Sequence, residues 1–450
     1  MKIHPNALLL EELSLSAGSQ RRRLLDHLIG CSRCRGRLRD LPRPEDGAEM
    51  IATALRFSKG SGDYGESMKR SLRAAQALER AMERERKEAP GHYLELMEYP
   101  AGQRELLLHN APRFHTWGLF ELLLERSWEM AIRSPAGSED LARLALRLAE
   151  CLDTARYQER LIEDLRARAW TYLANAHRLR SDLGQADSAF DTAYEHLKSG
   201  TREPLERALF LDLKASLRRD QRRFDEADRL LQRATSIFLQ DGDNHRAGRC
   251  LVNLSTVHFF AGSAEEAIPV LYQALELIEP QQEPRLLLSA WHNLICALVD
   301  LERFTEAQGL YRKAQPIYRS FTDAWTQNRR MWVKGRILQG LGRAQIAESL
   351  LLVVREGFLA EGIPYDTALV SLDLALLYAE QGRTAELKRL AEEMVPIFAS
   401  RHIHREALAA LAFLKQSLDA ERASLEAVTG VASFLRRSQF DPALRFEAPA

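Results

Sequence analysis

The sequence predicts an all-α protein built as a solenoid of stacked helix pairs, and three spacings predict it. A small residue recurs every 40 or 41 residues, a bulky residue follows it by four positions, and a second small residue follows it by seven. Positions that are four and seven residues apart lie on one face of a helix. Because a single helix pair cannot bury its own apolar face, neighbouring pairs must stack. The recurring small residues are Ala186, Ala227, Ala267, Ala307 and Ala347.

The repeat is clearest from Leu251 to Pro280, where an apolar helix, a Gly-containing turn and a second apolar helix follow one another. The order of small and large positions closely resembles that of tetratricopeptide repeats, although the unit here is 40 residues and the family unit is about 34. The resemblance implies a right-handed superhelix whose first helices line a concave wall. It also implies that a protein or peptide docks on that wall.

The remaining elements follow from composition and from the Pro and Gly residues that interrupt helices. Pro42, Pro44 and a Gly-rich stretch from Lys59 to Asp63 mark a linker. Atypical end layers are expected of a repeat array. The predicted organisation is a small helical module (1–41), a linker (42–64), a helical cap with an irregular first helix pair (65–164), six repeat units (165–402), closing helices (403–437) and a tail (438–450).

The N-terminal module contains a metal-ligand pattern, H-x3-C-x2-C, formed by His27, Cys31 and Cys34. His27 and Cys31 are four residues apart and so face the same side of a helix. Imidazole and thiolate groups are ligands that Zn²⁺ prefers in a tetrahedral site. His4 is the only upstream His or Cys and is the predicted fourth ligand. A structural zinc ion is therefore expected, with a metal-free helical bundle and a thiol switch as alternatives.

The same residues, with Arg35 and Leu38 after them, resemble the zinc-containing anti-sigma factor domain of bacteria over residues 3–41. The resemblance implies that this module binds a sigma factor. The gap between His4 and His27 is a few residues shorter than is usual in that family.

Six polar residues on the predicted repeat helices are candidates for binding a partner. An Asn side chain offers a donor and an acceptor together, which suits the backbone of an extended peptide. An Arg side chain can pair with acidic groups of a ligand. Capping or solvated side chains are the simpler alternative. The candidates are Asn175, Arg249, Asn253, Asn293, Arg329 and Arg336.

Composition excludes several functional classes. Lys plus Arg and Asp plus Glu are 63 each, so the formal net charge is zero, whereas a nucleic-acid-binding body is clearly basic. No apolar run reaches the ~18 residues that span a bilayer, and the first residues are not expected to form a signal peptide. Five cysteines are too few and too scattered for a disulfide framework, and a cytoplasmic protein is expected.

No phosphate-binding loop, nucleophile elbow or HExxH helix occurs, so the sequence predicts a protein that is not an enzyme. Two functional hypotheses remain. In the first, the chain is a regulatory adaptor whose solenoid binds one partner and whose N-terminal module binds another. In the second, it is a peptide or small-ligand sensor in which occupancy of the concave wall controls the N-terminal module.

Overall fold

The computed structural model describes residues 64–131, 133–399, 425–438 and 445–446, and in these residues all regular structure is helical. The chain divides into two compact units, Met1–Pro90 and Gly91–Ala450. The predicted metal ligands His4, His27, Cys31 and Cys34 lie outside the described residues. The predicted all-α, tetratricopeptide-like solenoid is confirmed.

The helices before the repeats are α1 (Tyr64–Met97), α2 (Ala101–Asn110), α3 (Trp117–Met130), α4 (Pro135–Cys151) and the single turn α5 (Thr154–Tyr157). Helix pairs then follow, α6 (Glu159–Leu179) with α7 (Leu183–Ser199), α8 (Pro204–Asp220) with α9 (Phe224–Asp241), and α10 (Asn244–Phe260) with α11 (Ala264–Leu277).

The fourth pair is α12 (Pro284–Asp300) with α13 (Phe304–Lys313) and α14 (Gln315–Arg319). Its second helix is broken at Ala314, two residues before Pro316, which has no N–H to continue the hydrogen-bond ladder. The last two pairs are α15 (Ala324–Gly340) with α16 (Ala344–Ala360), and α17 (Pro364–Glu380) with α18 (Thr384–Ala399). A further helix, α19 (Leu425–Ser438), packs on α17.

The recurring small residues lie at the contacts between paired helices. Ala186, Ala227, Ala267, Ala307 and Ala347 are all 0–1% exposed. Gly335, at the matching position on the first helix of its pair, shows how closely the helices approach. A Cβ atom added there would lie 2.9 Å from a methyl carbon of Leu351. A larger side chain at these crossings would therefore force the helices apart.

Each turn between paired helices contains a residue in the left-handed conformation, five positions before the small residue. Glycine adopts a positive φ without steric cost, whereas other L-residues do not. Three of the six turns have Gly at this place and three do not. The six residues are Ser181, Arg222, Gly262, Glu302, Gly342 and Gly382.

The buried apolar residues of the repeats form two clusters. The first runs from Ala174 to Ile337, and the second runs from Leu351 through Phe434 on α19. Trp332 on α15 packs against the second cluster, whereas Val333 beside it belongs to the first. The fifth pair is thus where one core gives way to the next. Among the described residues, no helix is both long and apolar enough to cross a bilayer.

Candidate functional site

The first helices of the pairs, α6, α8, α10, α12, α15 and α17, form a surface that we call the inner wall. Polar side chains of neighbouring first helices meet along it. Arg168 on α6 pairs with Glu206 on α8 and with Glu121 on α3. Burial alone lowers the pKa of Arg168, but the two carboxylates outweigh that effect and raise it. This arginine is therefore charged and fully neutralised by its neighbours.

The next polar side chains along the inner wall are also bonded to other groups of the chain. Arg178 donates to Asp220 at 2.6 Å and to the amide oxygen of Asn175 at 3.0 Å. Asn253 on α10 donates to Asp212 on α8 at 2.8 Å. Asp212 is 4% exposed, and burial raises the pKa of its carboxyl group although the Asn253 amide opposes the rise. The first three pairs are thus linked by the Arg178–Asp220 and Asn253–Asp212 contacts, and Asn175 supports Arg178 from within α6.

Arg249 continues this pattern towards the fourth pair. Its guanidinium pairs with Glu283, which caps α12, and lies over the ring of Trp128 at 5.4 Å from the centroid. Glu283 and Trp128 thus occupy the Arg249 guanidinium with contacts inside the chain. Arg249 therefore joins α10 to the start of α12.

A groove of about 870 Å³ opens on the inner wall between α10, α12, α15 and α17, with Ser433 of α19 at its edge. We call it the groove. Its apolar lining residues include Phe259, Phe260 and Leu301, and its polar lining residues include Asn293, Arg329 and Arg336. A smaller pocket of about 80 Å³ adjoins it and shares Asn293 and Arg329. The volume lies in the range of sites that hold small molecules or side chains of a peptide.

Arg336 is a polar group of the groove that is held by carboxylates of the chain. It bonds Asp300 at 2.7 Å and approaches Asp373 at 3.7 Å, and the Trp332 indole N–H also donates to Asp373 at 2.6 Å. Burial lowers the pKa of Arg336, but Asp300 and Asp373 outweigh that effect and raise it. This contact joins α12, α15 and α17.

A buried histidine supports the other side of the groove. His292 is 9% exposed, its Nδ1 lies 2.8 Å from the Tyr318 hydroxyl, and Arg329 donates its Nε–H to the His292 Nε2 at 3.3 Å. Arg329 can only donate, so Nε2 is the acceptor and Nδ1 carries the proton. Burial, reinforced by Arg329 and Arg336, lowers the pKa of His292 well below its ordinary value. The imidazole is thus neutral and fixed in place.

Cys296 lies one helical turn after this histidine, with its Sγ 3.5 Å from the His292 Nε2. Burial raises the pKa of the Cys296 thiol to about 11. At neutral pH the group is a thiol, whereas a nucleophilic cysteine needs a lowered pKa. This Cys–His contact is a packing contact and not an activated pair.

Arg329 and Asp366 differ from the other charged groups of the groove. Arg329 stacks on Trp325 at 4.8 Å from the ring centroid and bonds His292, and it has no ion pair with a described carboxylate. Asp366, in the first turn of α17, is half-buried and has no hydrogen bond or ion pair among the described residues. Burial raises its pKa, and the charge of Arg329 only partly opposes the rise.

The structure thus separates the six candidates into two sets. Arg249 and Asn253 make the contacts between first helices described above and Asn175 supports Arg178 within α6, whereas Asn293, Arg329 and Arg336 line the groove. Sequence reasoning missed Asp212, His292, Asp366 and Asp373, although each lies on a predicted first helix. The described residues contain no group of three or more His, Cys, Asp or Glu side chains arranged to hold a metal.

Comparison with known proteins agrees with the fold. Residues 205–279, which cover most of α8 to α11, match the family model of the tetratricopeptide repeat, so the predicted resemblance is confirmed there. No curated protein matches the chain. A solved Rap protein complexed with Competence and Sporulation Factor is similar at a TM-score of 0.54 and 12% identity, over 72% of this chain and 87% of that one. The apo form of RapI is similar at a TM-score of 0.52 and 13% identity, over 71% and 86% of the two chains. At this identity the likeness shows the fold alone.

Proposed function

We propose that the chain is a non-catalytic interaction protein whose groove binds a peptide or an extended segment of a partner protein. The observation that carries the proposal is the groove itself. It spans four first helices and combines aromatic side chains with the amide of Asn293 and the guanidinium of Arg329. Apolar surface with a few fixed polar groups is the usual composition of a ligand site. The Rap protein of similar fold was solved with a second molecule, which supports a binding role.

The proposal is tested by blocking the groove in the full-length chain. Asn293→Trp places a large side chain in the groove, and Lys334→Trp places the same side chain at an exposed position of α15. A library of end-capped hexapeptides is screened against both variants by fluorescence anisotropy. We expect binding to the wild type and to Lys334→Trp, and at least a tenfold loss for Asn293→Trp. If no peptide binds the wild type, or if both variants bind equally well, the groove is not the binding site.

A sensor is the second candidate, and the division of the core favours it. The groove is lined by Leu271 and Val333 from the first buried cluster and by Leu369 from the second. A ligand in the groove therefore contacts both clusters and can bias their relative arrangement. Hydrogen exchange of α16 and α18, which do not line the groove, should slow when a bound peptide from the library occupies it. Protection confined to the helices that line the groove would favour the adaptor instead.

We also propose that His4, His27, Cys31 and Cys34 hold one structural zinc ion and that this module contacts a sigma factor. The proposal rests on the ligand spacing and on the anti-sigma resemblance of residues 3–41. Elemental analysis of the intact protein should find about one zinc per chain. Cys31→Ser combined with Cys34→Ser should lose it. Full metal content in that variant contradicts the assignment, and failure to co-purify any sigma factor with the zinc-loaded chain contradicts the partner.

A further inference from the structure

The repeat register places Arg329 and Asp366 where another unit forms an ion pair. Arg168 and Arg329 both lie 18 residues before the small residue of their units, at Ala186 and Ala347. Glu206 and Asp366 both lie 21 residues before the corresponding positions of the next units, Ala227 and Leu387. Arg168 and Glu206 form an ion pair by direct contact, whereas Arg329 and Asp366 do not. We call the first pair closed and the second pair open.

A second pair of residues on α15 and α17 shows that an arginine of one helix can reach an aspartate of the other. Arg336 and Asp373 lie seven residues after Arg329 and Asp366 respectively, which is about two helical turns further along α15 and α17. Arg336 and Asp373 approach at 3.7 Å. The two helices are therefore close enough at this offset for an arginine to approach an aspartate. The separation of Arg329 from Asp366 needs a local cause.

The contacts of Arg329 supply that cause. Its Nε–H bonds the His292 Nε2, and its guanidinium lies on the face of Trp325. The Tyr318 hydroxyl holds the His292 ring from the other side. A neutral, fixed imidazole accepts the Arg329 hydrogen bond without competing for its charge. The arginine is thus turned towards α12, and the remaining N–H groups of its guanidinium have no described partner.

The short side chain of Asp366 also contributes to its separation from Arg329. Its side chain is one methylene shorter than that of Glu206, which occupies the same register. Burial raises its pKa, so the carboxylate has lost part of its hydration without gaining a hydrogen bond. A partly buried charge without a partner is unfavourable, and buried charges in proteins are ordinarily paired. A ligand that supplied a partner would recover this cost.

We infer that Arg329 and Asp366 are two opposite-charge anchors of the groove, and that the ligand is a peptide segment with an acidic and a basic side chain close together. This inference rests on the proposed function. The ligand carboxylate takes the free N–H groups of Arg329, with the Asn293 amide beside it. The ligand ammonium or guanidinium takes Asp366. An apolar side chain of the same segment would contact Phe259 and Phe260, which also line the groove.

The test is a double-mutant cycle between the chain and synthetic peptides. A library of end-capped hexapeptides, with each position fixed as acidic, basic or uncharged, is bound to the full-length protein. We expect the strongest binders to carry one acidic and one basic residue. Arg329→Gln should weaken such a peptide about tenfold, as expected for one charge-assisted hydrogen bond. It should have little effect once the acidic residue of the peptide is changed to its amide.

Asp366→Asn should behave in the same way towards the basic residue of the peptide. Lys334→Gln removes a charge from an exposed position of α15 and should change neither preference. Circular dichroism and thermal unfolding confirm that each variant is folded. Peptides that bind without charge preference, or a preference that survives Arg329→Gln and Asp366→Asn, overturn this inference but leave peptide binding intact. Absence of all peptide binding instead overturns the proposed function on which it rests.

Discussion

The junction between α6 and α8 and the junction between α15 and α17 share one repeat register but differ in how their charges are used. In the first, Arg168 pairs with Glu206 and also with Glu121. In the second, Arg336 pairs with Asp373, while Arg329 and Asp366 stay apart. Polar contacts within the first junction hold the helices together. The second junction keeps one cation and one anion available beside the groove.

This difference shows that an inner-wall arginine can be structural or available, and that position in the repeat does not decide which. Carboxylates within reach make Arg168 and Arg336 structural. A histidine and a tryptophan, which carry no negative charge, hold Arg329 in place without neutralising it. The availability of a charge thus depends on the partners that neighbouring helices supply.

The largest predicted effect comes from replacing Arg168 or Arg336, the two arginines that are paired with carboxylates of the chain. Arg168→Met or Arg336→Met removes the cation that two carboxylates share, and we expect a loss of about 2–3 kcal/mol in unfolding free energy, because a partly buried negative charge is no longer compensated. Arg329→Met should cost no more than about 1 kcal/mol, since it removes one hydrogen bond and no ion pair. Urea unfolding followed by circular dichroism measures all three. Equal losses would erase the distinction between Arg329 and the two arginines that are paired with carboxylates.

Turn variants test whether the left-handed turn after α6, in the first junction, behaves like the turn after α12, which lies outside both junctions. Ser181 follows α6 and Glu302 follows α12, and both are exposed with a positive φ. Ser181→Gly and Glu302→Gly should each stabilise the chain by about 0.5–1 kcal/mol, because glycine avoids the cost of the left-handed conformation. Gly342→Ala is the matched control and should destabilise. Thermal unfolding reports the change, and opposite signs for the two glycine variants would mean that the turns differ as well.

A longer acidic side chain at position 366 should make the second junction resemble the first. Asp366→Glu adds the methylene that Glu206 has, so we expect the ion pair with Arg329 to close. The gain in stability should be about 0.5 kcal/mol, as is usual for a partly exposed pair. Peptide binding in the groove should weaken because both anchors are then satisfied within the chain. A variant that is more stable and still binds as tightly as the wild type would contradict the assignment of these anchors.

The smallest expected effect is a pH dependence. Burial raises the pKa of Asp366 above its unfolded value, so the folded chain loses stability as the pH rises through the folded pKa. Asp366→Asn should therefore unfold at a higher temperature than the wild type near pH 7. Below about pH 3 both side chains are neutral and the difference should vanish. Thermal unfolding at the two pH values measures it, and a constant difference would mean that ionisation is not the cause.

Much of the fold could be predicted because the responsible signals are local. The recurring Ala267 and its equivalents mark the helix contacts. The site could be predicted only in part. Asn293, Arg329 and Arg336 were candidates from sequence and do line the groove, but Asn253, equivalent to Asn293 by repeat position, is bonded to Asp212 instead. The zinc ligands of residues 1–41 remain a prediction.

The sequence by itself determined the spacing of the helix pairs, the small residues at their crossings and the polar side chains on the first helices. These features depend on helical periodicity and residue volume, which act over a few positions of the chain. Only the tertiary structure decided which polar groups are satisfied. Arg168 reaches partners that are 38 and 47 residues away, and Arg329 meets His292 from 37 residues away. Such contacts depend on the offset between neighbouring helices and on side-chain reach, which the order of residues within one helix does not specify.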